Sequence, residues 1–452
     1  MSFRSCRSRL LFYLSACLVC FCMTTAEARA ATLPKLTFQQ YRLLNGLRVI
    51  LSPDKSVPVV AVCVTYDVGA RNEAVGHAGF AHLFEHLMFE GSAHVRSGQH
   101  LRLIKWAGGT ANGTTSADRT HYYEALPREQ LKLALFLEAD RMFSLRLNQE
   151  TFVSARKIVE AEKRERHDRR AYDPVAMALA KMAFTKFANT HDAIGTVDDL
   201  ESATLEEARR FYATYYTPRN AVLAVSGNFD TAQAKAMIAQ YFSAAGAKTT
   251  DAPLSVDDAE PLDKPIPPGM QWASLNMTRV ALPRYYLAFR IPPRTHPDYP
   301  ALVMLSDILG DGHESRCWRG LIKTGSAVEE SVVCSGRRGP ALFTFMAQSG
   351  QRHTNFKQIV QGAGKEIRQI LQTGVTEKEL TRVRSEERMR AISSRSTTLL
   401  RCEMLADAAV CQKDPDQVNV QPAALQAVTA SDILRVARKY LTRSNCVQLF
   451  AR

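Results

Sequence analysis

Two hydrophobic rhythms alternate along the chain. Short runs rich in β-branched residues, at 47–51 (Leu-Arg-Val-Ile-Leu) and 59–66 (Val-Val-Ala-Val-Cys-Val-Thr-Tyr), predict strands, and 221–226 (Ala-Val-Leu-Ala-Val-Ser) predicts another. Between them the period changes. Phe80, Leu83, Phe84 and Leu87 fall at i, i+3, i+4 and i+7, which predicts a helix over 79–89 with one buried face. A second helix is predicted over 150–171, with Ala155, Ile158 and Val159 as its buried stripe. Elements of these lengths in this mixture predict an α+β domain in which helices pack on one face of a mostly antiparallel sheet.

The periodic pattern stops over 247–272, where Thr249, Thr250, Asp251, Pro253, Asp257, Asp258, Pro261, Pro265, Pro267 and Pro268 replace it. Such a stretch reads as a linker. The segments on either side of it end alike. Thr204-Leu-Glu-Glu, Tyr215, Thr217, Asn220 and Val222 return as Thr429-Ala-Ser-Asp, Tyr440, Thr442, Asn445 and Val447, all at an offset of 225. A helix followed by the same tyrosine, threonine, asparagine and strand at one offset predicts two homologous domains. Their expected bounds are 31–247 and 273–452, joined by the linker 248–272.

The first thirty residues stand apart from this organisation. Arg4, Arg7 and Arg9 precede an apolar run from Leu10 to Met23, and Ala28-Arg29-Ala30 supplies a small-x-small cleavage site. We expect a signal peptide cut after Ala30 and a periplasmic protein. A lipid anchor on Cys17, within Leu14-Ser15-Ala16-Cys17, is the minor alternative. No later segment is apolar for long enough to span a bilayer. The net charge of +13 falls by three once Arg4, Arg7, Arg9, Arg29 and Glu27 leave. What remains is dispersed, and its densest patch, residues 163–170, mixes signs and lacks aromatic residues, which argues against nucleic-acid binding. Six cysteines stay in the mature chain: Cys63, Cys317, Cys334, Cys402, Cys411 and Cys446. They show no metal-ligand spacing, and we expect buried small apolar residues, although disulfides are allowed in an exported protein.

The chemistry concentrates on the first helix. His82-Leu83-Phe84-Glu85-His86 places two imidazoles and a carboxylate on one helical turn, opposite the apolar stripe. That arrangement suits a zinc ion held by His82 and His86 with Glu85 beside it as a general base. Zinc needs a third protein ligand. On a 100° wheel Glu162 falls inside the buried stripe of the second helix while Glu160 and Lys163 fall outside it. A carboxylate directed into a core must be paired, protonated or bound to a metal, so Glu162 is the candidate and Glu165, at the edge of the stripe, the reserve.

Taken together, His82-x-x-Glu85-His86 and the distal Glu162 resemble the inverted-motif zinc peptidases of the pitrilysin/insulinase family, which includes the mitochondrial processing peptidase. Further stretches resemble it too: Gly69-Ala-Arg-Asn-Glu73, Gly108-Gly109-x-x-Asn112-Gly-x-Thr115-x-x-Asp118-x-Thr120-x-Tyr122, Tyr216-x-Pro218-x-Asn220, and Pro297-Asp298-Tyr299-Pro300-Ala301 in the second half. The resemblance implies one zinc per chain on His82, His86 and Glu162, with Glu85 as the base for hydrolysis of peptide bonds in oligopeptides or small unfolded proteins. It also implies that a peptide adds to an exposed edge strand, which makes Asn112 and the backbone of Gly113 and Thr114 the expected substrate-binding residues. Two departures stand out. Ala155 replaces a glutamate usual in the family seven residues before the distal ligand. In the second half, Leu321-Ile322-Lys323-Thr324-Gly325-Ser326-Ala327-Val328 lacks the arginine and tyrosine with which the family stabilises the tetrahedral intermediate, and neither Ile322 nor Val328 can donate a side-chain hydrogen bond. The second half also lacks a zinc motif, with Val303, Ser306 and Asp307 at the approximately corresponding positions. We therefore expect the catalytic subunit of a two-chain enzyme, a heterodimer whose homologous partner supplies the missing donors. The alternative is a non-catalytic peptide-binding or assembly subunit of the same fold.

Overall fold

The run at 59–66 is apolar at almost every position, and a strand with that pattern must be covered on both faces. A computed structural model shows what covers it. Residues 33–452 are described except 170, 244–255, 278–279, 281 and 353–355. The segment read as a signal peptide, with Ala30 and the alternative anchor Cys17, lies outside the described residues, as does the linker over 248–255.

Two sheets organise the chain. The first contains β1 (Gln39–Arg42), β2 (Arg48–Pro53), β3 (Val59–Tyr66), β4 (Thr110–Thr115), β5 (Thr120–Pro127) and β6 (Ala221–Gly227), in the order β1-β2-β6-β3-β5-β4. The second contains β7 (Trp272–Leu275), β8 (Arg284–Ile291), β9 (Glu329–Cys334), β10 (Ala341–Gln348) and β11 (Cys446–Ala451), in the order β7-β11-β8-β10-β9. Among the described strands only β2·β6 and β7·β11 run parallel. The shared order is the architectural form of the repeat, and the mostly antiparallel α+β fold in two homologous halves is as the pattern predicts.

The principal helices are α1 (Phe80–Leu87), α2 (Leu131–Ser144), α3 (Gln149–Arg169), α4 (Asp173–Ala183) and α5 (Leu205–Tyr215) in the first half. Those of the second are α6 (Tyr299–Gly310), α7 (Lys357–Thr373), α8 (Glu377–Ser393), α9 (Thr398–Cys411) and α10 (Ala430–Tyr440). Val60, Val62, Val64 and Tyr66 of β3 pack under α1, α2, α3 and α5. The alternate residues Ala61 and Cys63, with Val222 and Ala224 of β6, face Cys402, Leu405 and Ala409 of α9, a helix of the second half. The converse holds for the second sheet. Its inner face packs on α6, α7, α8 and α10, while Tyr286, Ala288, Met346 and Val447 meet Val175, Leu179 and Ala183 of α4. Each half therefore covers one face of its own sheet and lends a helix to the other half's second face, which is why these strands are apolar on both sides.

The repeated residues have repeated tasks. Thr204 and Thr429 cap α5 and α10, accepting from the amides of Glu207 and Asp432. Asn220 Nδ2 donates to Tyr215 O and Asp67 O, at 2.9 and 3.2 Å, and Asn445 Nδ2 donates to Tyr440 O and Arg290 O, at 2.8 and 2.9 Å. In both copies the asparagine ties the end of the helix to the strand beside it. Within the proline-rich stretch Asp257 meets Lys186, Glu260 accepts from the amides of Thr185 and Lys186, and Ile266 is buried. All six mature cysteines are free thiols, and all but Cys334 are buried. No described helix is long and apolar enough to cross a membrane.

Candidate active site

Local chain geometry aims α1. Gly79, just before it, has φ +99°, and a Cβ there would meet Ile194 O at 2.8 Å. Only glycine takes that turn without strain. The helix has no side-chain N-cap of its own. Instead the Glu73 carboxylate, closing the Gly69-Ala-Arg-Asn-Glu73 stretch, accepts from Gly79 N at 2.9 Å and Ala81 N at 2.8 Å, satisfying the first-turn amides and setting a negative charge at the positive end of the dipole. His191 Nε2 lies 3.0 Å from the same carboxylate. Burial pushes Glu73 above the usual carboxylate range, and His191 with the two amides offsets part of that rise.

The stripe Phe80, Leu83, Phe84 and Leu87 is buried, and Tyr122 of β5 donates to Phe84 O at 3.1 Å. The opposite face carries the polar residues. His82 Nε2 and His86 Nε2 lie 3.2 and 3.3 Å from Oε2 of Glu162 on α3. One ligand atom from each of the three residues falls within 4.8 Å of the others, a set that could hold a metal ion. His86 Nε2 is buried and makes no hydrogen bond, since its approach to Glu162 is close but misaligned. An orphaned imidazole nitrogen facing a second imidazole and a carboxylate is the donor set zinc takes. Burial and the neighbouring His82 hold His86 below the usual histidine range, keeping its ring nitrogens available. Burial also works against protonation of His82, but Glu85 and Glu162 outweigh it and raise its pKa.

Glu85 is held separately. Thr115 Oγ1 of β4 donates to Glu85 Oε2 at 2.6 Å, and His82 Nδ1 lies 3.3 Å from the same oxygen. Burial raises the Glu85 pKa, but these contacts outweigh it and the carboxyl sits below its ordinary value. Gly113 flanks it, and a Cβ there would come within 2.8 Å of Glu85 Cγ. Among the described residues strand β4 pairs with β5 alone and is the free edge of its sheet. Ser116 N donates to Arg119 O at 2.9 Å across the turn. Antiparallel alternation from that pair commits the backbone groups of Thr114 and Asn112 to β5 and leaves those of Ala111, Gly113 and Thr115 facing outward. Asn112 is exposed, and its side chain shares a face with Thr114, opposite the Glu85 side of the strand.

The stripe expected on α3 needs one correction. Ala155 and Val159 are fully buried, but Ile158 is 45% exposed. Phe152, three residues before Ala155, completes the buried line that Ile158 was expected to share, because the contact face of α3 is narrower than the wheel allows. Glu165 is exposed and lies outside the three-residue cluster. In the second half, Asp307 of α6 pairs with Arg390 of α8 at 2.9 Å, and no potential metal cluster occurs there among the described residues. Val328 is 56% exposed and Ile322 partly buried.

A second polar cluster escapes the sequence reading. His100, Glu124 of β5 and Glu138 of α2 lie together in the interior, with Arg141 bonded to Glu138 through two nitrogens and stacked between Phe89 and Tyr122. Its one sequence signal is a charged residue in register with the core-facing Tyr122 of an apolar strand.

Comparison with known proteins bears on these sites. A family model described as "Insulinase (Peptidase family M16)" matches residues 48–196, and one described as "Peptidase M16 inactive domain" matches 202–387. The chain belongs to the insulinase, or M16, peptidase family. The first M16 span holds His82, Glu85, His86 and Glu162, and the second holds Asp307, Ile322 and Val328. The chain is 26% identical to the zinc protease PqqE of Helicobacter pylori over 92% of this chain and 93% of that one. It is 24% identical to a probable mitochondrial-processing peptidase subunit beta of Arabidopsis thaliana, covering 65% and 52%. Among solved structures, a protease from H. pylori superposes with a TM-score of 0.84 at 26% identity, over 92% of this chain and 99% of that one. The periplasmic protease PqqL of Escherichia coli shares the M16 fold with a TM-score of 0.74 at 17% identity, over 93% of this chain and 48% of that chain.

Proposed function

We propose that the protein is an exported zinc endopeptidase and the catalytic subunit of a two-chain enzyme. The observation that carries the reading is the convergence of His82, His86 and Glu162 next to a carboxylate, Glu85, that is fastened to an open edge strand. His82 and His86 would hold zinc through imidazole nitrogens and Glu162 through its carboxylate. When bound, zinc supplies Lewis-acid activation of water and polarisation of a carbonyl.

The remaining work belongs to side chains and backbone. A peptide laid along β4 finds the free amide and carbonyl groups of Ala111, Gly113 and Thr115, and backbone pairing of this kind binds sequences of many compositions. Asn112 and Thr114 stand on the strand's other face, where Asn112 is open to solvent and would contact substrate from the side away from Glu85. Glu85 takes the proton of the attacking water. Its Oε2 is occupied by Thr115, so Oε1 is the accepting atom, and the same carboxyl returns the proton to the departing amine. The missing element is a donor for the developing oxyanion, since Ile322 and Val328 offer none. A homologous partner chain that carries an arginine and a tyrosine would supply those donors.

The test combines metal analysis with peptide cleavage. One zinc per chain is expected, with cleavage of an unstructured peptide that rises when the partner chain is co-expressed and disappears in Glu85→Gln without loss of zinc. Zinc binding without cleavage in any combination would favour a non-catalytic subunit instead.

A further inference from the structure

The turn between β4 and β5 carries more charge than a hairpin needs. Asp118 Oδ2 accepts from Arg338 N of the second half at 2.9 Å, and its Oδ1 lies 3.5 Å from Arg71. Arg119, the next residue, bridges further. Its Nη1 donates to Thr114 Oγ1 at 2.8 Å and to Thr114 O at 3.2 Å, while its Nε donates to Asp407 Oδ1 at 3.2 Å. Asp407 sits on α9, the helix lent by the second half, and its other oxygen accepts from Arg294 Nη2 at 2.7 Å. Burial pushes the Asp407 carboxyl up, but the Arg294 and Arg119 guanidiniums outweigh it and hold it ionised below its ordinary range. A fork that grips a backbone oxygen and its own hydroxyl on one side, and a charged carboxylate on the other, fixes geometry as well as charge.

The consequence lies one residue away. Thr114 is followed by Thr115, whose hydroxyl holds Glu85, and preceded by Gly113, which packs against the same side chain. We propose that Arg119 is a positioning residue for peptide binding: anchored by Asp407 of the second half, it sets the register and tilt of the β4 edge against Glu85. The second half thereby takes part in the site although it contributes no ligand. The inference rests on the reading of β4 as the peptide-binding edge.

The test measures peptide affinity apart from turnover. A fluorescein-labelled unstructured peptide is titrated by anisotropy against the full-length chain, with its partner where one co-purifies, in a Glu85→Gln background. Arg119→Met and Asp407→Asn are each expected to weaken binding about tenfold, since an edge that is no longer pre-organised must be ordered by the peptide as it binds. The double variant should bind no worse than Arg119→Met alone, because the two act through one contact. Arg119→Lys reaches one partner but not both and should recover part of the affinity. Zinc content and melting temperature of the Arg119 variants are expected to match the parent, which separates positioning from loss of fold. Unchanged affinity in Arg119→Met overturns the proposal, as do additive effects of the two substitutions. If the wild type binds this peptide but never cleaves it, the peptidase reading falls while the affinity comparison still decides the role of Arg119. If it binds no peptide, both fall.

Discussion

At the scale of single residues, the His82–His86 turn and the groups that hold it have different origins. His82, Glu85 and His86 share a helix face by covalent spacing alone, so they are legible in the sequence. Thr115 and Gly113 act on Glu85 only because β4 lies against α1, and no local pattern marks that contact. Gly113 makes a demanding prediction. Its absent Cβ is what lets Glu85 stand where it does, so Gly113→Val should lower kcat/KM about a hundredfold while zinc content is unchanged, measured on the same peptide used for the wild type. The interior cluster gives a second. Burial pushes Glu124 up to about 8 and Glu138 to about 7, in each case against Arg141, and burial with Arg141 drives His100 down to about 3. The folded protein keeps a proton on Glu124 that the unfolded chain, with an ordinary value of 4.5, has released. That contribution is fully present below pH 4.5 and is lost as pH rises toward 8. His100, lowered from 6.5, opposes that loss below pH 6.5, so the melting temperature should decline between pH 6.5 and 8, and Glu124→Gln, neutral at every pH, should flatten the decline.

At the scale of elements, the length and period of α1, α3, β3 and β6 follow from their apolar spacing. Their exact faces do not. Ile158 lies on the predicted stripe of α3 yet is half exposed, because the helix meets its neighbours through the narrower line of Phe152, Ala155 and Val159. Glu162 continues that line to the site, so the ligand position survives although one marker of it fails. The cap of α1 is also tertiary: Glu73 reaches the helix across a turn held by Gly79. Glu73→Ala would leave Gly79 N and Ala81 N without their acceptor and should cost about 1–2 kcal/mol, the range of a lost cap, read as a lowered denaturation midpoint. Zinc affinity should fall with it, since the same helix carries two of the three proposed ligands.

At the scale of the whole molecule, the exchange of α4 and α9 buries each sheet under the other half, so the halves are expected to unfold as one cooperative unit. Leu405 of α9 is fully buried against the first sheet. Leu405→Ala should cost about 2–5 kcal/mol and lower a single calorimetric transition for both halves, in place of splitting it in two. Residues 36–243 produced alone would expose Ile50, Ala61, Cys63, Val222 and Ala224, and should bind a hydrophobic dye and lose near-ultraviolet dichroism. The two-copy organisation is visible in the sequence through the 225-residue repeat. Which helix covers which sheet is not, since apolar periodicity marks a buried face without naming what it packs against.

The amino-acid sequence by itself determined the elements, the repeat, the HxxEH motif and the apolar residues at 322 and 328, because spacing along a helix or strand acts over a few residues. Tertiary structure alone decided that Glu162 reaches the histidines, that Thr115 and Gly113 hold Glu85 at an open strand edge, and that Asp407 of one half anchors Arg119 of the other. Those contacts join residues 28 to 288 positions apart. Their geometry depends on how the sheets and exchanged helices close on one another, which no short-range pattern encodes.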